Sequence, residues 1–342
     1  MRFSTFMSEW LYGDDAYYSN HREIGKGGDF YTAVSSSMFF GGSIANRLIK
    51  VIDEGFLDKN CTIVEIGAHQ GYMLADIVQF IYTIRPKLLD TLEFVIIEPQ
   101  KENIKKQLEY FKESFGDIVK LQHFNSLEEV KISQAFVVAN ELFDAFTCEL
   151  VKDDKMIYMD NFTPIFKEQD EKTKSICEKY NIKSGEIAVG YEEFARSLYQ
   201  AFERFEFVTF DYGDKGKRND FSIRIYHEHK TYPFFALTDF VEIEEEKPKD
   251  VSIKSLYKVS DITLDVNFEH LIDAFESEGV KCEMFKTQMA MLVEFGLINL
   301  LDELQKNASQ ESYKSELNRA KVLIEPSFMG ERFKGVVFRK SI

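Results

Sequence analysis

The sequence predicts an α/β fold: a Rossmann-like core with a mainly parallel, doubly wound sheet. Short runs of β-branched and apolar residues alternate with longer segments of helical periodicity, as in successive βαβ units. The first of these runs, 62–66, is followed at once by a turn with two glycines and then by a helical pattern. Such a turn between a buried strand and a helix is typical of folds that bind nucleotides at the carboxyl edge of the sheet.

The elements of this core follow in a regular order. Apolar residues at helical spacing come before the first strand, Pro86 ends the helix after it, and Gly116 ends the next helix. The expected strands are 62–66, 94–98, 118–121, 135–139, 205–210 and 335–339, and the expected helices are 3–12, 39–55, 72–84 and 100–115.

The core is interrupted by segments with other patterns. The charged insertions are expected to form a cap over the active face, and their acidic stretch 242–250 is expected to be an exposed loop. The predicted divisions are an N-terminal aromatic and glycine-rich segment with a helix that packs on the core (1–55), the core itself (56–150, 201–213 and 281–342) and the two insertions (151–200 and 214–280).

Composition narrows the classes of partner. The 342 residues include 42 Lys and Arg against 58 Asp and Glu, a formal net charge of −16. An acidic surface repels nucleic acid and anionic lipid, whereas a basic polypeptide is compatible with it. The N-terminal stretch 1–15 has no apolar run flanked by basic residues, and no segment is apolar enough to cross a bilayer, so the cytoplasm is the expected location.

Metal chemistry is not expected. The four cysteines (Cys61, Cys148, Cys177 and Cys282) are far apart in sequence and form no CxxC pair. His227 and His229 are interpreted as surface or core residues.

The glycine turn favours a cofactor that contains a ribose. Its residues Gly67, Ala68 and Gly71 follow Glu65, and the acid that ends the next strand is Glu98. A dinucleotide site would read G-x-G-x-x-G with an acid roughly 20 residues later. The G-x-x-x-G spacing and the later acid instead resemble the methyltransferase pattern E-x-G-x-G-x-G. A carboxylate there can accept hydrogen bonds from both hydroxyls of a ribose.

Simpler explanations exist for both features. The turn could join strand and helix without any ligand, and Glu98 could cap the next helix. His69 occupies the position of the pattern's middle glycine and should restrict how the turn approaches a methionine moiety.

Further segments along the chain resemble one family, the MidA-like methyltransferases, which are relatives of the mitochondrial complex I assembly-factor arginine methyltransferase. One departure is Phe146-Thr147, where the family usually has a Leu-Pro pair. The matching segments, in order, are 17–18, 25–33, 40–41, 138–145, 211–213, 223–229, 261–263, 266–268, 287–288 and 329–334.

The resemblance implies an S-adenosylmethionine-dependent methyltransferase that acts on a protein arginine. In the mitochondrial relatives the target is a subunit of respiratory complex I, and an acceptor of this kind is implied here. The implied catalytic residues are Asn140, Glu141 and Asp144; the implied cofactor-binding residues are Asp29, Thr32, Glu65, Gly67, Ala68, Gly71, Glu98 and Asn140; Asp211, Tyr212 and Gln288 are assigned to the acceptor side.

Alternatives remain open at this stage. Asp144 could cap a following helix, Asp211 could serve the sheet edge, and the segment with Asp29 and Thr32 could be a surface turn. A non-catalytic assembly protein that retains the fold, or a methyltransferase for a small molecule, would carry much of the same pattern.

Overall fold

The computed structural model describes residues 1–20, 32–216, 219–238 and 251–341. The chain forms two compact units, each built from three separate segments. The first comprises Met1–Phe30, Phe143–Tyr191 and Gly213–Leu271, and the second comprises Tyr31–Leu142, Glu192–Tyr212 and Ile272–Ile342. The predicted loop 242–250 lies outside the described residues.

Strands and helices alternate through most of the chain. The strands are β1 (Thr62–Ile66), β2 (Glu93–Ile97), β3 (Leu121–Phe124), β4 (Ile132–Asn140), β5 (Cys148–Lys152), β6 (Lys155–Asp160), β7 (Thr163–Glu168), β8 (Ser184–Ala188), β9 (Phe202–Asp214), β10 (Arg224–His227), β11 (Lys230–Pro233), β12 (Asp261–Thr263), β13 (Val266–Asn267), β14 (Lys281–Thr287) and β15 (Phe333–Lys340). The helices are α1 (Phe3–Leu11), α2 (Ala33–Ser36), α3 (Phe39–Asp53), α4 (Tyr72–Ile84), α5 (Lys101–Phe115), α6 (Glu171–Tyr180), α7 (Tyr191–Ala201), α8 (Ile253–Leu256), α9 (Phe268–Ser277), α10 (Gln288–Glu294), α11 (Leu297–Asn307) and α12 (Gln310–Ile324).

The second unit is built on a mainly parallel sheet with the strand order β3-β2-β1-β4-β9-β15-β14. Strands β3, β2, β1, β4 and β9 run parallel to one another, and β15 runs antiparallel between β9 and β14. All five residues of β1 are buried, as expected for a central strand covered on both faces. The predicted α/β, doubly wound fold class is confirmed.

Most predicted elements of this unit are found within a few residues of their expected positions, but the third strand is misplaced. The prediction of a strand over 118–121 is wrong, because the chain turns there and β3 begins at Leu121. Val119 is buried in the core although it lies in this turn, whereas Ile118 is exposed. The apolar residues of a turn that packs on the core therefore have the same sequence pattern as a short strand.

The first unit has two small antiparallel sheets, β7-β6-β5-β8 and β11-β10-β12. Its main core combines α1 with aromatic and aliphatic residues of these sheets. The Trp10 indole Nε1–H donates to the carbonyl oxygen of Ser260 at 2.7 Å, so α1 is tied to the chain segment before β12. The predicted segment 1–55 is thus divided, with α1 in the first unit and α3 in the second.

Within the described ranges, no helix is both long and apolar enough to cross a membrane.

Candidate cofactor site

Three segments of the second unit meet at the carboxyl edge of its parallel strands. Ile66, the last residue of β1, is aligned with the last residue of β2 and with the last but one of β4. The residues that follow β1 and β2, and the end of β4, therefore lie side by side at one edge. The glycine turn 67–71, Glu98 and the Asn140-Glu141 pair are brought together in this way. Ligands of open α/β sheets bind at this edge.

The turn after β1 needs left-handed backbone at several positions. Gly67 and Gly71 have φ of 72° and 78°, and His69 has φ of 48°. The Gly71 N–H donates to the carbonyl oxygen of Ala68 at 2.7 Å, which closes the turn before α4. A Cβ on Gly67 would lie 3.3 Å from Cδ1 of Leu142, so the segment after β4 approaches this turn closely. The turn is compact, and a larger residue at position 67 would be strained.

Glu65 secures the turn to the helix behind it. Its buried carboxylate accepts the N–H of Leu74, in the first turn of α4, at 3.1 Å. Burial raises the pKa of Glu65, the bond from Leu74 lowers it and the nearby Asp76 carboxylate raises it, with a net result of about 8. The protein contact of this carboxylate is thus with the helix N-terminus, where an acid is favoured by the unpaired N–H groups. A direct role in binding cofactor stays a prediction for Glu65.

Glu98 follows β2, and its buried carboxylate is surrounded by donors. Oε1 accepts the backbone N–H of Gln100 at 2.9 Å, and Oε2 accepts the side-chain amide of Asn103 at 3.2 Å. The amide of Gln107 lies 3.5 Å from the same Oε2. Because Glu98 accepts the N–H of Gln100, the residue before α5, the alternative that Glu98 caps the next helix is correct in part. A carboxylate has two oxygens and can accept hydrogen bonds from both hydroxyls of a diol.

Asn140 and Glu141 form a strained pair at the end of β4. The Asn140 side-chain amide donates to Oε1 of Glu141 at 2.9 Å, and the Glu141 N–H donates to the carbonyl oxygen of Phe210 at 2.8 Å. Glu141 has φ of 50°, a costly conformation for a residue with a side chain, and such strain is concentrated at functional sites. Within the described chain, the buried Oδ1 of Asn140 accepts no hydrogen bond. A buried amide oxygen without a donor is suited to a ligand that brings one.

Asp144 belongs to the first unit, where it is buried. The alternative that it caps a following helix is wrong, because the chain turns at 143–147 and enters β5. Its carbonyl oxygen accepts the N–H of Leu264 at 3.1 Å. Burial raises the pKa of the Tyr18 hydroxyl, and the carboxylates of Asp261 and Asp144 raise it further. Two buried acids and an aromatic hydroxyl are therefore close together in this unit.

The residues assigned to the acceptor side have contacts with structural roles. Asp211 is buried near the end of β9, and its carboxylate accepts the N–H of the next residue at 2.9 Å. The Tyr212 ring packs edge-on against Phe333. Gln288 is buried at the start of α10 and donates to the carbonyl oxygen of Leu323 at 2.8 Å. Acceptor-side roles for these three residues stay predictions.

Of the two residues predicted in the N-terminal loop, one is described. Thr32 caps α2: its hydroxyl accepts the N–H of Ser35 at 3.1 Å, in a reciprocal capping box. Asp29 lies outside the described residues. His227 ends β10, and His229 lies in the turn before β11.

Two residues that sequence reasoning missed connect the parts of this site. Gln107, on α5, is fully buried and donates from Nε2 to the carbonyl oxygen of His69 at 2.7 Å. Its Oε1 lies 2.8 Å from Nε2 of His123 on β3. One signal in the sequence could have indicated Gln107: it is an uncharged amide close to the few apolar residues of a highly polar helix.

A parallel sheet with a glycine turn after its first strand and a diol-suited carboxylate after its second defines a nucleotide-cofactor-binding α/β protein. One family model, described as "Putative S-adenosyl-L-methionine-dependent methyltransferase", matches residues 43–286. The chain belongs to this family of S-adenosylmethionine-dependent methyltransferases.

Two solved structures from Burkholderia thailandensis have the same fold over nearly the whole chain. One is bound to S-adenosyl-homocysteine and is 19% identical, with a TM-score of 0.79 over 99% of this chain and 88% of that one. The other is a native structure that is 20% identical, with a TM-score of 0.77 over 99% and 87% of the two chains.

Proposed function

We propose that this protein transfers the methyl group of S-adenosylmethionine to an arginine side chain of another protein. The observation that carries the proposal is the buried side-chain oxygen of Asn140, which accepts no hydrogen bond from the described residues and lies at the edge that also holds the glycine turn and Glu98. Membership of the methyltransferase family supports the reaction class, and the MidA-like resemblance favours arginine and a respiratory-complex subunit as acceptor.

The side chains at this edge fit the cofactor. Glu98 would accept the two ribose hydroxyls, the backbone of the turn 67–71 would face the methionine moiety, and Asn140 Oδ1 would accept an N–H from the ligand. When bound, the cofactor supplies a methyl group activated by a sulfonium. What the protein adds is chiefly positioning, because an in-line displacement gains most of its rate from the alignment of its reactants.

Acceptor binding is assigned to acids. A guanidinium is held best by carboxylates, which can accept two parallel N–H bonds. The candidates, each considered within its own unit, are Glu141 at the strained end of β4 and Asp144, which is buried in the first unit. The net charge of −16 favours a cationic protein segment as partner.

The test is a transfer experiment with S-adenosylmethionine labelled in its methyl group and a lysate from a strain that lacks the gene. Labelled proteins would be hydrolysed and their amino acids separated. We expect methylarginine in the protein fraction. Label in small molecules alone would indicate a small-molecule methyltransferase, and cofactor binding without any transfer would indicate a non-catalytic assembly protein; either result would contradict the proposal.

Asp144→Asn separates chemistry from cofactor binding. It should retain affinity for S-adenosylmethionine but lose transfer by about 100-fold or more, the range typical of a positioned acid–base or charge partner. The matched control is Asp154→Asn, at an exposed turn of the same unit, which should transfer like the unmodified protein. Transfer at the unmodified rate by Asp144→Asn would remove this residue from the active site.

A further inference from the structure

Gln107 is an unusual residue for its position. Helix α5 buries little of its surface, and Gln107 is one of its two fully buried residues, beside Phe111. A buried amide costs free energy unless its hydrogen bonds are made, and an apolar residue of similar size would avoid that cost. The amide of Gln107 contacts three groups: the His69 carbonyl oxygen at 2.7 Å, the Glu98 carboxylate at 3.5 Å and the His123 ring at 2.8 Å.

We propose that Gln107, oriented by His123, is a positioning residue that holds the glycine turn and the Glu98 carboxylate in the arrangement that binds cofactor. The inference rests on the proposed function and deepens it. The two segments come from the ends of different strands, β1 and β2. The Gln107 amide donates to both segments. It thereby fixes the distance between the glycine turn, which would face the methionine moiety, and Glu98, which would accept the ribose diol.

His123 determines which way the amide points. The Gln107 Oε1 is an acceptor only, so Nε2 of His123 must carry the hydrogen of this contact. With the oxygen engaged by His123, both N–H bonds of the amide are directed to His69 and Glu98. An amide turned the other way would place its oxygen against the His69 carbonyl oxygen and the Glu98 carboxylate, which repel it. The order His123, Gln107, then His69 and Glu98 is therefore the one consistent direction of donation.

This arrangement also explains how a histidine can replace glycine in the turn. Gln107 donates to the backbone carbonyl oxygen of His69, and a residue of any type has this group. A left-handed φ of 48° at a residue with a side chain is costly, and the bond from Gln107 offsets part of that cost. The turn thus depends on α5 for its shape.

The experiment is calorimetric titration with S-adenosylhomocysteine and with its 2′-deoxy analogue, which lacks one of the ribose hydroxyls. Gln107→Leu keeps the volume but removes the amide. We expect it to bind S-adenosylhomocysteine at least about tenfold more weakly, the effect of one or two lost hydrogen bonds. Because Glu98 is no longer held in register, the preference for the full ribose over the 2′-deoxy analogue should shrink as well. The matched control, Gln79→Leu at an exposed position of α4, should bind both ligands like the unmodified protein.

Two variants of His123 test the same chain of hydrogen bonds at the residue that orients the Gln107 amide. His123→Gln can place an N–H near the position of Nε2 and should bind within about twofold of the unmodified protein, whereas His123→Leu should behave like Gln107→Leu. This pair decides the matter if Gln107→Leu does not fold.

Several results would overturn the proposal. Unchanged affinity in Gln107→Leu would do so, and so would weaker binding with an unchanged preference for the full ribose, since a general structural defect would affect both ligands equally. Equal affinities of His123→Gln and His123→Leu would also contradict it. If the unmodified protein bound no S-adenosylhomocysteine, both the proposed function and this inference would be contradicted. If it bound the ligand but the Gln107 and His123 variants did not show the expected changes, only this inference would be contradicted.

Discussion

The large sheet holds buried glutamates in two different environments. Glu206, on β9, accepts a forked pair of bonds from Arg47, with Nε–Oε1 at 2.6 Å and Nη2–Oε2 at 2.8 Å, and a third from Arg339 Nε at 2.6 Å. The described donors to Glu98, at the carboxyl edge, are uncharged N–H groups instead. The described hydrogen bonds of the first carboxylate thus come from guanidinium groups, and those of the second come from amides.

The difference separates an acid that ties elements of the fold together from the acid that we propose to bind the ligand. Guanidinium partners on α3 and β15 tie two elements to β9 and occupy both oxygens of Glu206. Amide donors orient Glu98, and carboxylate oxygens have further lone pairs for hydroxyls. Both residues are buried, so the identity of their described donors is what distinguishes them.

Glu206→Ala should have the largest effect on stability. It removes the carboxylate that pairs with the buried Arg47, whereas Arg339 still has Glu54 at 3.5 Å. Removal of one member of a buried ion pair costs about 3–5 kcal/mol of unfolding free energy. Denaturant titration of the purified variant measures this change. The control is Asp53→Ala, which removes an exposed ion pair with Arg85 and should cost less than about 1 kcal/mol. Similar losses in the two variants would show that Glu206 is not a structural anchor.

Glu65→Gln should have a smaller effect that depends on pH. The pKa of Glu65 is raised to about 8 in the folded protein, from an ordinary value of 4.5. The folded state therefore holds a proton that the unfolded state releases, and this stabilisation is complete below about pH 4.5 and is lost as the pH rises to about 8. Glutamine keeps an oxygen for the Leu74 N–H but does not titrate.

Urea titrations of the unmodified protein and of Glu65→Gln at several pH values from 5 to 8 test this expectation. The unmodified protein should lose about 1–3 kcal/mol more stability across this range than the variant does. Glu113→Gln, at an exposed position of α5, is the matched control and should retain the pH dependence of the unmodified protein. The same pH dependence in Glu65→Gln and the unmodified protein would contradict the raised pKa.

Local patterns predicted the parts of the fold that local forces determine. β1 and α4 begin and end at the predicted residues, because a β-branched run and a helical apolar stripe are joined by a glycine turn. The segment at 118–121 was misassigned because a buried residue in a turn and a buried residue in a strand have the same composition. Likewise, nothing local distinguishes an Asp that begins a helix from Asp144, which precedes a strand.

The candidate site was predictable only in part for a similar reason. The sequence shows which residues lie at or just after the end of a predicted strand, and this position identified Glu65, Gly67, Gly71 and Glu98. Gln107 and His123 are marked only by contacts between α5, β3 and the turn after β1, which depend on the folded chain. The one sequence signal, an uncharged amide in the polar helix α5, does not show which groups Gln107 contacts.

The central claim is that the carboxyl edge of the sheet binds S-adenosylmethionine through Glu98. Calorimetric titration of the unmodified protein and of Glu98→Ala with S-adenosylmethionine tests it most directly. The account predicts one saturable site in the unmodified protein and an affinity lower by about 100-fold or more in the variant, since two charge-assisted hydrogen bonds to the ribose would be lost. Equal affinities, or no binding by the unmodified protein, would contradict it.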